Sequence, residues 1–168
     1  MKPHIRPIID TDVNQLIDLN NQFIPAVNQL TTDLFKELLA DAKYSLSLIL
    51  DDSPIGFVLA LPPGCSYASK NYVWFDSRYD DFLYIDRIVI GKSHHHYGLG
   101  IMLYDELRAL NNREYQKFSC EVNIKPLNEP SLRFHQRYGF QCTGTQTTEH
   151  GAKHVMLMEY EIDVFDVD

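Results

Sequence analysis

The strongest constraint on the fold is a β-branched and aromatic segment, 82–90, that runs directly into a turn rich in histidine and glycine and then into a helical segment, 99–110. A strand followed by a glycine turn and a helix presents unpaired backbone N–H groups and the positive end of the helix dipole at one point. Anions bind at such points, and Gly98 and Gly100 would let phosphate oxygens approach the backbone closely. The turn therefore predicts a phosphate-binding site.

Two familiar nucleotide-binding motifs do not fit this turn. The chain has no G-x-x-x-x-G-K-[ST] sequence, so a P-loop is unsupported. Leu103 stands where the third glycine of the dinucleotide-binding motif G-x-G-x-x-G belongs. What remains is a pyrophosphate site of another kind. A solvent-exposed polar turn and a metal-binding tract formed by His94, His95 and His96 stay open as alternatives.

The rest of the chain predicts a mixture of strands and helices. The segment from 62 to about 81 is predicted as a long loop that carries several aromatic side chains, and loops of this length are usually functional or mobile. The predicted strands are 4–9, 44–50, 55–61, 82–90, 118–122, 143–148 and 154–160. The predicted helices begin near Asp10 or Thr11, near Thr31 or Thr32, at Leu99 and at Ser131.

Length and composition restrict the class of protein. With 168 residues, 45% hydrophobic and 23% charged, the chain is predicted to form one domain over residues 1–168. The net charge of -8 would repel a phosphate backbone and is compatible with an amine substrate, so no nucleic acid is expected as a partner. Without a long apolar run or a signal-peptide pattern, we expect a cytoplasmic protein with no membrane partner. The three cysteines form no C-x-x-C pair, and no metal is expected.

A second motif follows the fifth predicted strand and leads to a family resemblance. The turn at 90–100 is similar to the pattern V-x-P-x-x-[QR]-x-x-G-x-[GA], with Lys92 in place of the proline and His95 in place of glutamine or arginine. About thirty residues later, the chain matches N-x-x-[AS]-x-x-[LF]-[YH]-x-x-x-G-F with Asn128, Ser131, Phe134, His135, Gly139 and Phe140. The two motifs, and the order of strands and helices around them, resemble the GNAT acetyltransferase superfamily over nearly the whole chain.

The resemblance implies a fold, a cosubstrate and a reaction. The fold would be α+β, with a central mixed but mostly antiparallel sheet of six or seven strands, splayed between strands 4 and 5, and about four flanking helices. In the reaction, a primary amine of a small molecule, an amino acid or a peptide would attack the thioester of acetyl-coenzyme A (acetyl-CoA) directly. Relatives are often dimers, which makes a homodimer one expectation.

Roles for individual residues also follow from the resemblance. Amides of the glycine turn would bind the pyrophosphate, and the backbone at the end of strand 4 would pair with the pantetheine arm. His135 occupies the position of a tyrosine that in many relatives protonates the leaving thiolate, and an imidazole can act as a general acid near neutral pH. The alternative is that His135 is a packed helix residue. The predicted cofactor-binding residues are Ile88, Val89, Ile90, His95, His96, Tyr97, Gly98, Leu99, Gly100, Asn128 and Ser131.

The proton of the acceptor amine needs a base, and two carboxylates are candidates. Asp86 alternates with Tyr84 and Ile88 onto one face of strand 4, and Glu121 alternates with Ser119 and Asn123 on strand 5. Either carboxylate could take the proton, through water, or hold the substrate ammonium. Asp86 could instead form a structural ion pair with Arg87. Tyr84 and Asn123 are predicted to contact the acceptor.

The aromatic residues Tyr72 and Trp74 are predicted to line the acceptor pocket, although the same segment could form a dimer surface. Two further functions stay open: transfer from a longer acyl-coenzyme A, and a coenzyme A-binding module that has lost catalysis. Three consecutive histidines beside the predicted pyrophosphate lead to the hypothesis that coenzyme A binds more tightly near pH 6 than near pH 8.

Overall fold

A computed structural model describes residues 2–162, which form seven strands and five α-helices. The strands are β1 His4–Pro7, β2 Tyr44–Leu50, β3 Ser53–Leu61, β4 Leu83–Ile90, β5 Lys117–Lys125, β6 Gln141–Thr148 and β7 Lys153–Glu161. The helices are α1 Val13–Asn21, α2 Thr32–Asp41, α3 Lys70–Asp76, α4 Leu99–Asn111 and α5 Glu129–Tyr138. None of the helices in this described range is long and apolar enough to cross a bilayer.

The strands form one seven-stranded sheet in the order β1-β2-β3-β4-β5-β7-β6. The pairs β1–β2, β2–β3, β5–β7 and β6–β7 are antiparallel, whereas β4 and β5 are parallel, with Leu83 opposite Phe118 and Tyr84 opposite Ser119. The predicted fold class, a mixed and mostly antiparallel sheet with flanking helices, is confirmed. The contacts of the chain group into two compact units, Met1–Leu61 with Ile85–Leu110, and Pro62–Tyr84 with Asn111–Asp168. A single domain over 1–168 stays a prediction.

The first unit is organised around the hairpin of β2 and β3. Its turn residues Asp51 and Asp52 both have positive φ, 49° and 62°, the conformation that matches the twist of hairpin strands. Behind the hairpin, the buried rings of Phe35 on α2 and Phe57 on β3 lie 5.7 Å apart. Of the two predicted caps of α2, Thr31 is the one used, because its hydroxyl accepts a hydrogen bond from the Leu34 amide.

The second unit corrects one prediction, because the segment expected to be a long loop contains helix α3. Ser69 caps this helix by accepting a hydrogen bond from the amide of Tyr72. Tyr72 and Phe75, three residues apart on one face, are fully buried. Their rings pack around Tyr84, with centroids 5.3 Å and 6.0 Å from its ring. The sequence contains both the cap and the apolar spacing of a helix, but the many aromatic residues suggested a loop at the surface.

Candidate functional site

The glycine turn lies in the first unit, between β4 and α4. Gly91 continues the strand by donating its amide to the carbonyl of Ile55, at 2.8 Å, and residues Lys92–His94 then form a single 3-10 turn. His96 and Gly98 both have positive φ, 69° and 73°. These left-handed residues reverse the chain so that α4 begins at Leu99. The predicted order of strand, glycine turn and helix is therefore present.

The turn exposes a row of amides at the N-terminus of a 13-residue helix. Three nearby amides are occupied: His94 donates to the Gly91 carbonyl, His95 to the Lys92 carbonyl, and Met102 to the Gly98 carbonyl. By contrast, within residues 2–162 no hydrogen-bond acceptor is found for the amides of His96, Tyr97, Gly98, Leu99 and Gly100. Backbone amides that are not paired with protein or water are costly, and here the helix dipole adds positive potential. The arrangement suits an anion with several oxygens.

His95 supports this turn from behind. Its Nε2 lies 2.7 Å from the Ile90 carbonyl oxygen, and because a carbonyl can only accept, Nε2 carries the proton. Its ring stacks on Phe23, with centroids 5.6 Å apart and planes 17° apart. The Lys92 ammonium lies 5.5 Å from the centroid of the same Phe23 ring. His95, which replaces the glutamine or arginine of the family pattern, thus stabilises the end of β4. This is where Ile88, Val89 and Ile90 are predicted to meet the pantetheine arm.

The second motif lies in the second unit, and its polar residues are occupied by local structure. Asn128 caps α5, since its Oδ1 accepts a hydrogen bond from the Ser131 amide. The Ser131 carbonyl in turn lies 2.8 Å from Nδ1 of His135, which must carry the proton of that bond. Gly139 ends the helix with φ 121°, and a Cβ there would lie 3.0 Å from the Tyr160 ring. The predicted contacts of Asn128 and Ser131 with a cofactor stay predictions.

His135 itself is enclosed. Only 3% of the residue is exposed, and its ring packs edge-on against Phe134 and Phe140, each at 5.0 Å between centroids. Burial disfavours the charged imidazolium and lowers the pKa of His135 from 6.5 to about 4. The side chain is therefore neutral at pH 7, and its proton is held by the Ser131 carbonyl. This environment favours the alternative prediction of a packed helix residue over that of a general acid.

Asp86 forms an ion pair with the next residue, Arg87. Its Oδ2 accepts a hydrogen bond from Nε of Arg87 at 2.8 Å, and the two side chains are only 3% and 5% exposed. The Arg87 guanidinium also donates to Oδ1 of the fully buried Asn20, at 3.0 Å, so the ion pair belongs to a buried polar network of the first unit. The carboxylate is therefore tied into the packing of the first unit through Arg87. The structural ion pair that the sequence left open is the arrangement found.

Glu121 is held differently. Its Oε2 accepts a hydrogen bond of 2.6 Å from the Tyr84 hydroxyl, while the residue stays partly exposed. Tyr84 is wholly buried, so its predicted contact with the acceptor is not favoured, and it contacts the candidate base instead. Asn123 is 8% exposed, and its carbonyl accepts the amide of Asn128 at 2.9 Å. The structure thus brings Tyr84 and Glu121 together, which the sequence did not indicate.

The two predicted aromatic residues have different surroundings. Tyr72 is fully buried and donates its hydroxyl to the Pro62 carbonyl at 2.7 Å, which does not favour contact with an acceptor. Trp74 is partly exposed and lines a cleft of about 310 Å³ together with Lys70, Arg78 and Gln146. No motif or pattern in the sequence pointed to Lys70 or Arg78. In the part of the chain that is described, no group of three or more histidine, cysteine, aspartate or glutamate residues could hold a metal ion.

Comparison with solved structures shows the fold over nearly the full length. Ard1 from Thermoplasma volcanium superposes with a TM-score of 0.78 at 16% identity, covering 96% of this chain and 99% of that chain. Arabidopsis thaliana NAA60, solved with a bisubstrate analogue, has a TM-score of 0.74 at 18% identity and coverages of 95% and 98%. Salmonella typhimurium yncA, solved with its cofactor acetyl-CoA, has a TM-score of 0.69 at 15% identity and coverages of 100% and 98%.

These identities are too low to transfer more than the fold, and no curated protein matches the chain. The sequence itself is more informative. Residues 14–140, which include the glycine turn and the second motif through Phe140, match the model of the acetyltransferase (GNAT) family. The chain therefore belongs to the GNAT acetyltransferase family.

Proposed function

We propose that this protein is an N-acetyltransferase that transfers the acetyl group of acetyl-CoA directly to an amine. The observation that carries the proposal is the row of amides from His96 to Gly100, for which residues 2–162 offer no hydrogen-bond acceptor, at the N-terminus of α4. A pyrophosphate supplies oxygens of the right charge for such a row. Family membership supports coenzyme A as the molecule that carries this pyrophosphate.

The donor would be held mainly by main-chain groups. The amides of the glycine turn would bind the pyrophosphate, and the backbone of Ile88–Ile90 would meet the pantetheine arm. Because main-chain groups do this work, the side chains Lys92 and His95 can depart from the family pattern without abolishing the site. Acetyl-CoA supplies the activated thioester, and a longer acyl chain stays the alternative donor.

Glu121 is the better-supported base. The amine must lose a proton before or as it attacks, and a partly exposed carboxylate can take that proton, directly or through water. The hydrogen bond from Tyr84 fixes the position of the Glu121 carboxylate. Asp86 is less suited to this role, because it forms a buried ion pair with Arg87. We therefore assign Asp86 a structural role.

The leaving thiolate needs a proton as the bond between carbon and sulfur breaks and that between carbon and nitrogen forms. His135 is neutral at pH 7, and its only proton is bound to the Ser131 carbonyl. We therefore propose that solvent protonates the thiolate and that His135 packs α5. The same observation favours a second candidate function, a coenzyme A-binding module without catalysis.

Thiol release from acetyl-CoA over a panel of amines and peptides, together with calorimetric titration of coenzyme A, separates these functions. We expect coenzyme A binding and turnover with at least one acceptor. Binding without turnover on a wide panel would favour the catalytically silent module. Absence of coenzyme A binding would refute both, because each depends on the amides of the glycine turn.

A further inference from the structure

Helix α3 lies on the same face of the sheet as Glu121, and two independent contacts of the second unit establish this. The ring of Tyr72 on α3 packs edge-on against Tyr84 at 5.3 Å, and the Tyr84 hydroxyl reaches Glu121. Across the sheet, Glu121 on β5 is paired with Leu157 on β7, which is paired with Gly144 on β6. Directly paired residues project to the same face of a sheet.

Trp74 covers the far end of this row. A Cβ built on Gly144 would lie 3.2 Å from Cζ2 of Trp74 and 3.7 Å from Cδ1 of Leu157, so the indole rests on the glycine in the space that a side chain would fill. Gly144 lies two strands from Glu121, and neighbouring strands are about 4.8 Å apart. The backbone position under the indole is therefore about 10 Å from that of Glu121, on the same face.

The cleft beside Trp74 carries positive charge in an acidic protein. Its lining contains Lys70 and Arg78 and no carboxylate, although the whole chain has a net charge of -8. The Arg78 guanidinium stacks over the Trp74 ring, 3.8 Å from its centroid, and donates to the Trp74 carbonyl at 3.0 Å. Neither cation has a carboxylate partner within 4 Å among residues 2–162. A guanidinium held flat on a ring keeps further N–H groups for an incoming anion.

We propose that this cleft is the distal part of the acceptor site, and that it selects peptides whose carboxylate lies about 10 Å from the acetylated amino terminus. This inference rests on the proposed function, with Glu121 at the amine. An amino acid is too short to reach both places, because an extended chain advances about 3.3 Å per residue. An aspartate or glutamate at the third or fourth position of a peptide reaches the cleft when its amine lies beside Glu121.

Matched peptides test the proposal kinetically. Two series differ only in glutamate against glutamine at the third or fourth position, and thiol release gives kcat/KM for each. We expect the acidic peptide to be preferred about tenfold, and the preference to fall to near one in the double variant Lys70→Gln and Arg78→Gln. Equal kcat/KM for the acidic and neutral peptides in the unmodified protein would overturn the proposal, as would turnover of small amines but of no peptide.

A charge-matched variant separates the cleft from the general field of the protein. Lys36→Gln with Arg133→Gln removes the same two charges from exposed positions on α2 and α5. We expect the preference for the acidic peptide to survive in this variant. Loss of the preference in both double variants would assign the effect to net charge and overturn the proposed site.

Trp74 provides a readout that does not depend on catalysis, because it is the only tryptophan of the chain. Its fluorescence should change on titration with the acidic peptide, and half-saturation should need at least about tenfold less of this peptide than of the glutamine peptide. The difference should disappear in the Lys70→Gln and Arg78→Gln variant. If no acceptor is turned over but this selective change is seen, the cleft stands and the proposed enzyme function fails. An identical response to both peptides overturns the cleft.

Discussion

The two motifs that connect this chain with its family use their polar groups in opposite ways. In the turn at 91–100, the groups that matter belong to the main chain, and the amides from His96 to Gly100 find no acceptor within residues 2–162. In the segment 128–140, the groups belong to side chains, and Asn128 and His135 bind the backbone of their own helix. One motif therefore presents main-chain amides that have no acceptor in the described range, whereas the other builds and anchors a helix.

A motif therefore does not by itself reveal whether its residues act on a ligand or on the fold. The glycine turn is exposed, with Tyr97 76% accessible, and its geometry depends on two left-handed residues. His135 is 3% exposed between two phenylalanine rings. Substitutions that separate stability from coenzyme A binding test this contrast.

The largest expected effect concerns the acid sensitivity of His135. Its pKa is about 4 when folded and 6.5 ordinarily, so the unfolded chain binds the extra proton between these values. The full stability is present above about pH 6.5, and about 3 kcal/mol is lost as the pH falls to about 4. Urea unfolding across this pH range should show that the free energy of unfolding falls by about 3 kcal/mol less in His135→Phe than in the unmodified protein. Parallel pH curves for the two proteins would contradict the buried neutral state.

Gly98→Asp should abolish most coenzyme A binding. Aspartate tolerates the φ of 73°, and no atom lies within 4 Å of the new Cβ, so the fold has room for it. Its carboxylate would repel the pyrophosphate, and we expect the calorimetric Kd to rise about 100-fold, or about 2.7 kcal/mol. Gly151→Asp, at a φ of 91° and also with open space, is the matched control. Equal affinities in the two variants would remove the turn from the binding site.

Asn128→Ala tests the structural interpretation of the second motif. Loss of the cap should lower the free energy of unfolding by about 1 kcal/mol, with an unchanged Kd for coenzyme A. Chemical denaturation and calorimetry on the same preparation measure both quantities. A clearly weaker Kd with unaltered stability would mean that Asn128 contacts the cofactor, as the resemblance implied.

The smallest effect is expected at His95. His95→Ala removes the hydrogen bond to the Ile90 carbonyl, which is worth about 1 kcal/mol, and should weaken coenzyme A binding by up to about fivefold. His95→Gln keeps an N–H donor and the residue type that the family pattern shows, so its affinity should match that of the unmodified protein. Titrations at pH 6 and pH 8 with both variants also test the hypothesis that coenzyme A binds more tightly near pH 6, and whether His95 is the cause.

Much of the fold could be predicted from local signals. The strand at 44–50, the turn at Asp51 and Asp52, and the cap at Thr31 follow from apolar alternation and from residues that favour particular backbone conformations. Helix α3 was missed because its aromatic side chains suggested an exposed loop, whereas Tyr72 and Phe75 point into the core. Whether an aromatic residue is a surface or core residue depends on the partners that reach it.

Local signals also indicated one part of the candidate site, the glycine turn, but not the parts that depend on distant contacts. The glycine turn was located correctly because main-chain geometry depends on nearby residues, above all on Gly98 at positive φ. The sequence could not indicate whether Asp86 or Glu121 is the better candidate base. It does not show that Asp86 pairs with Arg87, or that Glu121 accepts a hydrogen bond from Tyr84. The cleft at Trp74 could not be found, since Lys70 and Arg78 lie near Trp74 within or just after a helix that was not predicted, and Gln146 comes from a strand far along the chain.

The residues alone indicated the family, the order of strands and helices apart from α3, and the turn that presents a row of amides at a helix N-terminus. Three features required the folded structure: the ion pair of Asp86 with Arg87, the burial of His135 with its lowered pKa, and the sheet face that Glu121 shares with Trp74. The two groups of features differ in the distance along the chain over which their causes act. Backbone conformation responds to adjacent residues, whereas desolvation and charge pairing depend on atoms that folding brings together from far along the chain.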